Sequence, residues 1–159
     1  MNLRAGFAFF IGGVILALTA SQILVGSGQP FPVSPISLVL TLGLLGPLIY
    51  AFTLPVRQYQ RKLRQFEEGK SARPQRLNPF FAFRVLVLSR AGSLAGAGFL
   101  GWHIGLLAGL AILGSGNSSL ALSLGWGVLA SSLLTAFAAA GEHNCKVPED
   151  RTPPDGATV

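Results

Sequence analysis

The sequence predicts an all-α, polytopic membrane protein with four transmembrane helices and a basic cytoplasmic loop between the second and the third. Half of its 159 residues are hydrophobic and only 11% are charged, whereas about a quarter of the residues of a soluble domain are charged. Four uncharged runs are each long enough to cross a bilayer. Seven of the twelve Lys and Arg residues lie in one short segment between two of these runs.

The spans are predicted at about residues 7–26, 36–54, 91–113 and 119–141, because about 20 apolar residues in a helix cross the ~30 Å of hydrocarbon. A cleaved signal peptide is the alternative for the first run, and three spans would then remain. In the second span, Pro47 predicts a kink and Pro55 is expected to close the span. Residues 1–145 thus form one predicted membrane domain.

Residues 56–90 are predicted to be an interfacial or cytoplasmic helical segment, whose first part either lies along the membrane face or continues the second span into the cytoplasm. Within it, Gly69 is expected to end a short amphipathic helix, and Asn78-Pro79 marks a new helix start, since Asn is a favoured N-cap and Pro a favoured first residue. An apolar stripe on the amphipathic helix is formed by Val56, Tyr59, Leu63 and Phe66. The basic residues around that stripe, which are predicted to contact anionic lipid or a partner, are Arg57, Arg61, Lys62 and Arg64.

The distribution of charge predicts the orientation. The basic segment and residues 146–159, a tail predicted to be disordered, share one side of a four-span protein, and the two other loops contain no Lys or Arg. The positive-inside rule places both termini in the cytoplasm of a plasma-membrane protein. The net charge of +6 therefore reflects membrane orientation, and nucleic acid is not a predicted partner. The single cysteine, Cys145, allows no intramolecular disulfide.

Small residues mark the predicted contacts between spans, because membrane helices associate through close van der Waals fit. The third span has two small-residue faces, so we expect it to be central and contacted on both sides. The first stripe is predicted to pack within the chain, with a homo-oligomer interface as the alternative. Its members are Gly98, Gly101, Gly105 and Gly109, and the face roughly opposite holds Gly92, Gly96 and His103.

Two arginines lie where the third helix is predicted to enter the membrane. Arg84 and Arg90 are expected to reach lipid phosphates, and a specific anionic-lipid or substrate site is the alternative. Glu142 emerges from the fourth span at a similar predicted depth, so a pair between Arg90 and Glu142 is a further possibility. With His143 and Cys145, Glu142 also forms a short group of potential metal ligands, but its spacing is not that of a zinc site. No metal, cofactor or catalytic residue is predicted.

His103 is the one ionisable residue near the middle of any predicted span. It is interpreted as a neutral histidine hydrogen-bonded to a neighbouring helix, for example to Ser131, Ser132 or Thr135. A proton relay or a substrate contact is the alternative interpretation. A proton-coupled transporter would more convincingly carry a carboxylate within the membrane, and no span contains one.

Two stretches resemble a known family. The run Leu77-Asn78-Pro79-Phe80-Phe81-Ala82-Phe83-Arg84, which continues through Arg90-Ala91-Gly92, is similar to the central signature of domain-of-unknown-function family 3180, and Glu142 to Pro148 is similar to the end of its last span. Asn78 stands where that family usually has Asp and Arg90 where it usually has Lys; both exchanges keep the helix cap and the charge. The resemblance implies a small actinobacterial plasma-membrane protein without an established activity.

Three classes of function follow from these observations. The first is a non-enzymatic accessory or structural protein that binds a partner protein or anionic lipid at the cytoplasmic face. The second is a subunit of a small oligomeric transporter or channel, which predicts a wet cavity at His103. The third is a membrane enzyme, which predicts a cytoplasmic pocket that gathers Arg84, Arg90, Glu142 and His143.

Overall fold

The structure is a computed structural model that describes residues 3–70, 72, 78–113 and 118–145. These residues form four α-helices and no strand, and each helix is long and apolar enough to cross a membrane. The four-helix fold class is therefore confirmed. The turn predicted between the third and fourth spans, the end of the basic loop and the C-terminal tail lie outside the described residues. The helices are α1 (Leu3–Gly26), α2 (Ile36–Glu67), α3 (Pro79–Ile112) and α4 (Ser118–Cys145).

The ends of three helices follow local sequence signals. The Asn78 side chain accepts a hydrogen bond of 3.0 Å from the Phe80 amide and caps α3, with Pro79 in its first turn. After α1 and α2, Gly28 and Gly69 adopt φ values of 75° and 71°. At the second of these, the Gly69 amide donates to the Phe66 carbonyl and the Lys70 amide to the Gln65 carbonyl. This paired pattern is the Schellman motif, which favours glycine because of its positive φ.

The structure decides between the two arrangements expected for the amphipathic helix. α2 runs without a break through Pro47 and Pro55 into the basic segment, so this helix continues the second apolar run. A proline removes one backbone donor and disturbs one turn, and the helical residues on both sides of Pro55 continue the element. The described residues between Glu67 and Pro79 are not helical, in agreement with the helix stop expected at Gly69 and the helix start expected at Asn78-Pro79.

α3 is the centre of the bundle. It contacts the three other helices and is the most buried of the four. α1 packs on one side of α3, α4 packs on the other, and α2 packs mainly on α4 with a smaller contact to α3. Within the described residues α1 contacts neither α2 nor α4. The prediction that the third span is touched on both sides is confirmed.

The face of α3 that meets α1 is the predicted glycine stripe. A Cβ atom on Gly101 would overlap the carbonyl oxygen of Phe10, and one on Gly13 would overlap the carbonyl oxygen of Gly98. Further along, a Cβ on Gly105 would lie 2.8 Å from the Val14 carbonyl oxygen. The two backbones therefore approach as closely as glycine permits. The residue numbers of the contacting pairs increase together along the two helices, so α1 and α3 are parallel.

The opposite face of α3 meets α4 in antiparallel orientation. Gly96 lies against Thr135, and the ring of His103 lies against Gly127. Beyond α4, α2 packs closely, since a Cβ on Gly46 would lie 3.0 Å from Cα of Leu134. The cluster of buried apolar residues at this contact is Leu42, Ile49, Ala130, Leu134 and Ala138. The bundle is thus arranged, from one edge to the other, as α1, α3, α4 and α2.

The connection between α1 and α2 has to pass over α3, because α2 packs on the far side of the bundle. Phe31 in this connection packs on a cluster of buried residues near that end of the helices, formed by Ala17, Leu106, Leu110 and Leu124. At the other end of the molecule, Val56, Val85 and Cys145 form a third cluster between α2, α3 and α4. The packing of α2, α3 and α4 against one another therefore continues past the level at which α1 begins.

Candidate functional site

His103 is fully buried between α3 and α4. Its Nδ1 lies 2.8 Å from the carbonyl oxygen of Phe99, one turn earlier, and 3.2 Å from Oγ of Ser131. Since a carbonyl oxygen can only accept, Nδ1 carries a proton, and in the neutral ring Nε2 is then unprotonated. The Ser131 hydroxyl donates to the Gly127 carbonyl oxygen at 2.8 Å, so its oxygen is free to accept from Nδ1.

This geometry bears on the two interpretations of His103. Of the hydroxyl residues proposed from the sequence, Ser131 contacts the imidazole, whereas Ser132 and Thr135 donate to the backbone of their own helix. Nε2 has no hydrogen-bond partner in the described part of the chain. The ring fills the space that Gly127 leaves by lacking a side chain. The arrangement can hold α3 and α4 in register, with one acceptor nitrogen left over.

A second group of polar residues lies at the end of the bundle where α1 begins. Thr53, Ser89 and Gly141 meet there, because a Cβ on Gly141 would lie 2.9 Å from Cγ2 of Thr53 and 3.0 Å from Oγ of Ser89. Ser89 is fully buried and its hydroxyl has no described partner. The next residue on α4, Glu142, is also buried. Polar side chains are thus concentrated where the bundle is predicted to leave the hydrocarbon.

The arginines of α3 do not converge on this polar group. Val85 and Ser89 face α2 and α4 and are buried, whereas Arg84 and Arg90 are exposed. At about 100° per residue, the two arginines lie on opposite flanks of the buried face. Glu142 is buried and His143 is exposed, so the four residues required by the membrane-enzyme hypothesis do not line one described pocket. The pairing of Glu142 with Arg90 stays a prediction.

The basic part of α2 continues the apolar part as one unbroken helix. Val56 is buried and Tyr59 and Leu63 are half-buried, which follows the predicted apolar stripe, but the fourth member, Phe66, is exposed. Arg57 lies close to the apolar surface and its Nη1 donates to the Tyr50 hydroxyl at 3.2 Å. The basic residues of α2 that are exposed are Arg61, Lys62 and Arg64. We call these three residues the basic extension.

The possible metal ligands at the end of α4 are also separated. Cys145 is buried in the cluster with Val56 and Val85, while His143 is exposed. Among the residues that the structure describes, no three His, Cys, Asp or Glu side chains are grouped as a metal site would require.

Sequence reasoning missed Thr53 and Ser89. For Ser89 the sequence did contain a sign of burial, because Ser89, Gly92 and Gly96 repeat at the spacing of one helical face. That spacing continues the small-residue face of the predicted span toward the arginines. The partner position, Gly141, is the last small residue before Glu142 in α4.

A comparison with protein families gives one match. Residues 7–149 match the family described as protein of unknown function (DUF3180). The chain belongs to this family. The match covers α1 from Phe7 onward and the whole of α2, α3 and α4, and it confirms the resemblance seen in the runs around Asn78-Pro79 and Glu142. No match was found among curated proteins or among solved structures.

Proposed function

We propose that this DUF3180 protein is a non-enzymatic accessory protein of the plasma membrane that binds an anionic surface at its cytoplasmic face. That surface is either the headgroups of anionic lipids or an acidic partner protein. Both termini and the connection between α2 and α3 lie in the cytoplasm in this proposal. The support for that orientation is the concentration of Lys and Arg in the connection, next to two other connections without any.

The observation that carries the proposal is the basic extension. α2 continues as one helix past the polar group at Thr53, and its last turns expose Arg61, Lys62 and Arg64. An arginine or lysine held near an anionic membrane surface contributes about 1 kcal/mol to binding. Three such residues on a rigid helix present a preformed cationic surface without the entropic cost of ordering a loop.

The alternative is a subunit of a small oligomeric transporter or channel. It requires water or a substrate at His103, since this is the one ionisable residue deep in the apolar part of the bundle. The fully buried imidazole and its close contact with Gly127 favour the accessory protein.

The proposal is tested by lipid and protein retention. The full-length protein is purified in a mild detergent, and bound phosphatidylglycerol, bound phosphatidylcholine and co-purifying acidic proteins are quantified by native mass spectrometry. The variant R61Q/K62Q/R64Q is compared with K70Q, because Lys70 already pairs with Glu68 at 2.8 Å. We expect the triple variant to lose at least about tenfold in retained anionic lipid or acidic partner, and K70Q to match the wild type. Equal retention by all three proteins would refute the proposal.

The orientation is tested by cysteine labelling. In a C145S background, the exposed Lys70 is replaced by Cys and treated with a membrane-impermeant maleimide. We expect labelling only after the cells are permeabilised. Labelling of intact cells would place the basic extension outside and would exclude a cytoplasmic binding surface.

A further inference from the structure

The side chain of Arg57 runs back toward the apolar part of α2. Its Nη1 donates to the Tyr50 hydroxyl at 3.2 Å, although Tyr50 lies seven residues earlier in the helix, a rise of about 10 Å. Because helical side chains lean toward the N-terminus of their helix, the guanidinium lies deeper in the apolar run than the Cα atom of Arg57. An arginine at the end of a membrane span more often extends outward to the headgroups.

The charge of Arg57 has no counterion among the described residues. Arg57 is half-buried, and its described contacts are one hydrogen bond to Tyr50 and no ion pair. Glu142 lies on another side of α4: the α4 residue that contacts Tyr50 is Phe137, and the five residues from Phe137 to Glu142 turn the helix by about 140°. A tyrosine hydroxyl is neutral, so it does not balance the guanidinium, and a cation at membrane depth needs an anionic partner.

Arg57 and Tyr50 together present hydrogen-bond donors without a described acceptor. The Tyr50 oxygen accepts from Arg57, so its own proton is left for another acceptor. The guanidinium has several N–H groups, and the described structure uses one of them. The Tyr50 ring packs on Phe137 of α4, with the ring centroids 5.7 Å apart and the planes at 54°, and this contact fixes where the hydroxyl lies. Such a pair of oriented, half-buried donors is complementary to an anion.

Two arginines of the basic extension lie on the same side of α2 as this pair. Arg61 and Arg64 follow Arg57 by four and seven residues, so the three side chains and Tyr50 lie within about 60° of one another around the helix. A ligand held by Arg57 and Tyr50 therefore has two further cations on its outer side. A headgroup that carries an ammonium group is repelled there, whereas one with a net negative charge is attracted.

We propose that Arg57 and Tyr50 bind the phosphate of one anionic phospholipid in the leaflet where α2 leaves the membrane. The guanidinium donates two parallel hydrogen bonds to phosphate oxygens, a geometry that arginine favours, and the Tyr50 hydroxyl donates a third. The inference deepens the proposed function and rests on it, because it gives the anionic lipid one defined site at the inner end of the basic extension.

A soluble anion and an acidic protein are less suitable occupants of this site. Val56, the residue before Arg57, is buried with Val85 and Cys145, and the guanidinium reaches from that level toward Tyr50, deeper in the apolar run. A soluble ligand would have to enter the edge of the hydrocarbon to meet it. The phosphate of a phospholipid already lies at that edge, because its own chains are in the hydrocarbon.

The experiment measures lipid binding to the full-length protein in a neutral detergent. The protein is titrated with phosphatidylglycerol or with phosphatidylcholine, and the copies bound to each molecule are counted by native mass spectrometry. We expect one phosphatidylglycerol to bind at least about fivefold more tightly than phosphatidylcholine, the factor that one basic residue near a membrane surface contributes. Excess inorganic phosphate should not displace it.

Three variants make the result specific. Y50F removes the hydroxyl and keeps the ring that packs on Phe137, and we expect it to weaken phosphatidylglycerol binding about tenfold, because a hydrogen bond to a charged group is lost. R57Q should abolish the preference for phosphatidylglycerol, while the weaker binding of phosphatidylcholine persists and shows that the fold is intact. The matched control is Y59F, which changes the other tyrosine of the chain and should bind as the wild type does.

Several outcomes would overturn the inference. Wild-type affinity of Y50F and R57Q for phosphatidylglycerol would show that this pair holds no phosphate. Displacement of the lipid by inorganic phosphate would make the ligand a soluble anion, and loss of an acidic protein from R57Q without loss of lipid would make it a protein. If R61Q/K62Q/R64Q loses lipid and Y50F does not, the proposed function stands and this site falls. If Y50F loses lipid and the triple variant does not, the site stands without the basic extension.

Discussion

The two faces of α3 contact their neighbours in different ways. Toward α1 the contact is backbone against backbone, since glycines on both helices bring Gly101 onto the Phe10 carbonyl and Gly13 onto the Gly98 carbonyl. Toward α4 the contact is mixed. The His103 ring lies over Gly127 and is hydrogen-bonded to Ser131, whereas a Cβ on Gly96 would lie 2.9 Å from the backbone nitrogen of Thr135. A side chain can rotate when its neighbour changes, but a helix backbone cannot. The backbone contact at Gly101 should therefore tolerate substitution less than the contact between His103 and Gly127.

The largest expected effect is at Gly101. G101A places a methyl group on the backbone of Phe10, so the two helices must move apart along their whole seam. Overpacking of this kind costs about 1–3 kcal/mol and occasionally more, and we expect the upper end of that range. The free energy of unfolding is measured by titration with sodium dodecyl sulfate in mixed micelles. G125A, at an open position on α4, is the control, and equal stability of the two variants would contradict the close backbone contact.

A smaller effect is expected at Gly127. In G127A the new methyl group meets the imidazole of His103, which can shift at the cost of its hydrogen bonds. We expect destabilisation of about 1–2 kcal/mol. In the double variant G127A/H103A the clash is removed, so the sum of the two single effects should exceed the effect of the double variant by about 1 kcal/mol. Simple additivity would mean that the ring does not occupy the space above Gly127.

Removal of the hydroxyl at Ser131 should have a still smaller effect. S131A deletes the acceptor that lies 3.2 Å from Nδ1 of His103, but the stronger bond to the Phe99 carbonyl oxygen at 2.8 Å remains. Hydrogen bonds between membrane helices contribute about 0.6 kcal/mol on average. The same unfolding titration measures this loss. S132A serves as the comparison, since Ser132 bonds only within α4 among the described contacts, and a larger effect there would reassign the link between the helices.

The smallest effect is expected at Gly12, which is next to the close contact made by Gly13. G12A should change stability by less than about 0.5 kcal/mol, although Gly12 directly precedes Gly13. Gly12 lines an open groove between α1 and α3, and a Cβ at this position would meet nothing within 4 Å. A Cβ on Gly13 would overlap the Gly98 carbonyl oxygen. Unfolding titrations of G12A and G13A therefore compare the two sides of one helix. Similar losses in both would show that α1 is rotated relative to this description.

Much of this comparison was accessible from the sequence. The stripe from Gly98 to Gly109 and the opposite face with His103 follow from about 100° per residue, because helix periodicity alone decides which residues share a face. The cap at Asn78 and the stop at Gly69 follow from backbone chemistry that acts within a few residues.

The sequence pointed to α4 as the partner of the His103 face, through hydroxyl residues such as Ser131. It did not identify α1 as the partner of the opposite face, because periodicity shows only that Gly101 and His103 point in different directions. That choice depends on the fit of whole surfaces, such as Gly13 against Gly98. The choice at Pro55 was open for a related reason. Its local cost is real, but the contact of Val56 with Val85 and Cys145 joins residues that are far apart in the sequence.

The order of packing differs from the order of synthesis. The first two helices to be made, α1 and α2, do not contact each other among the described residues, and each finds its partner only among the later two. The N-terminal half of the chain therefore has no tertiary contact between its helices during translation. α1 can pack against another helix only after α3 has been synthesised, because α3 is its one neighbour among the described helices. A ribosome halted before that point would leave two separate helices in the membrane, exposed to quality-control proteases.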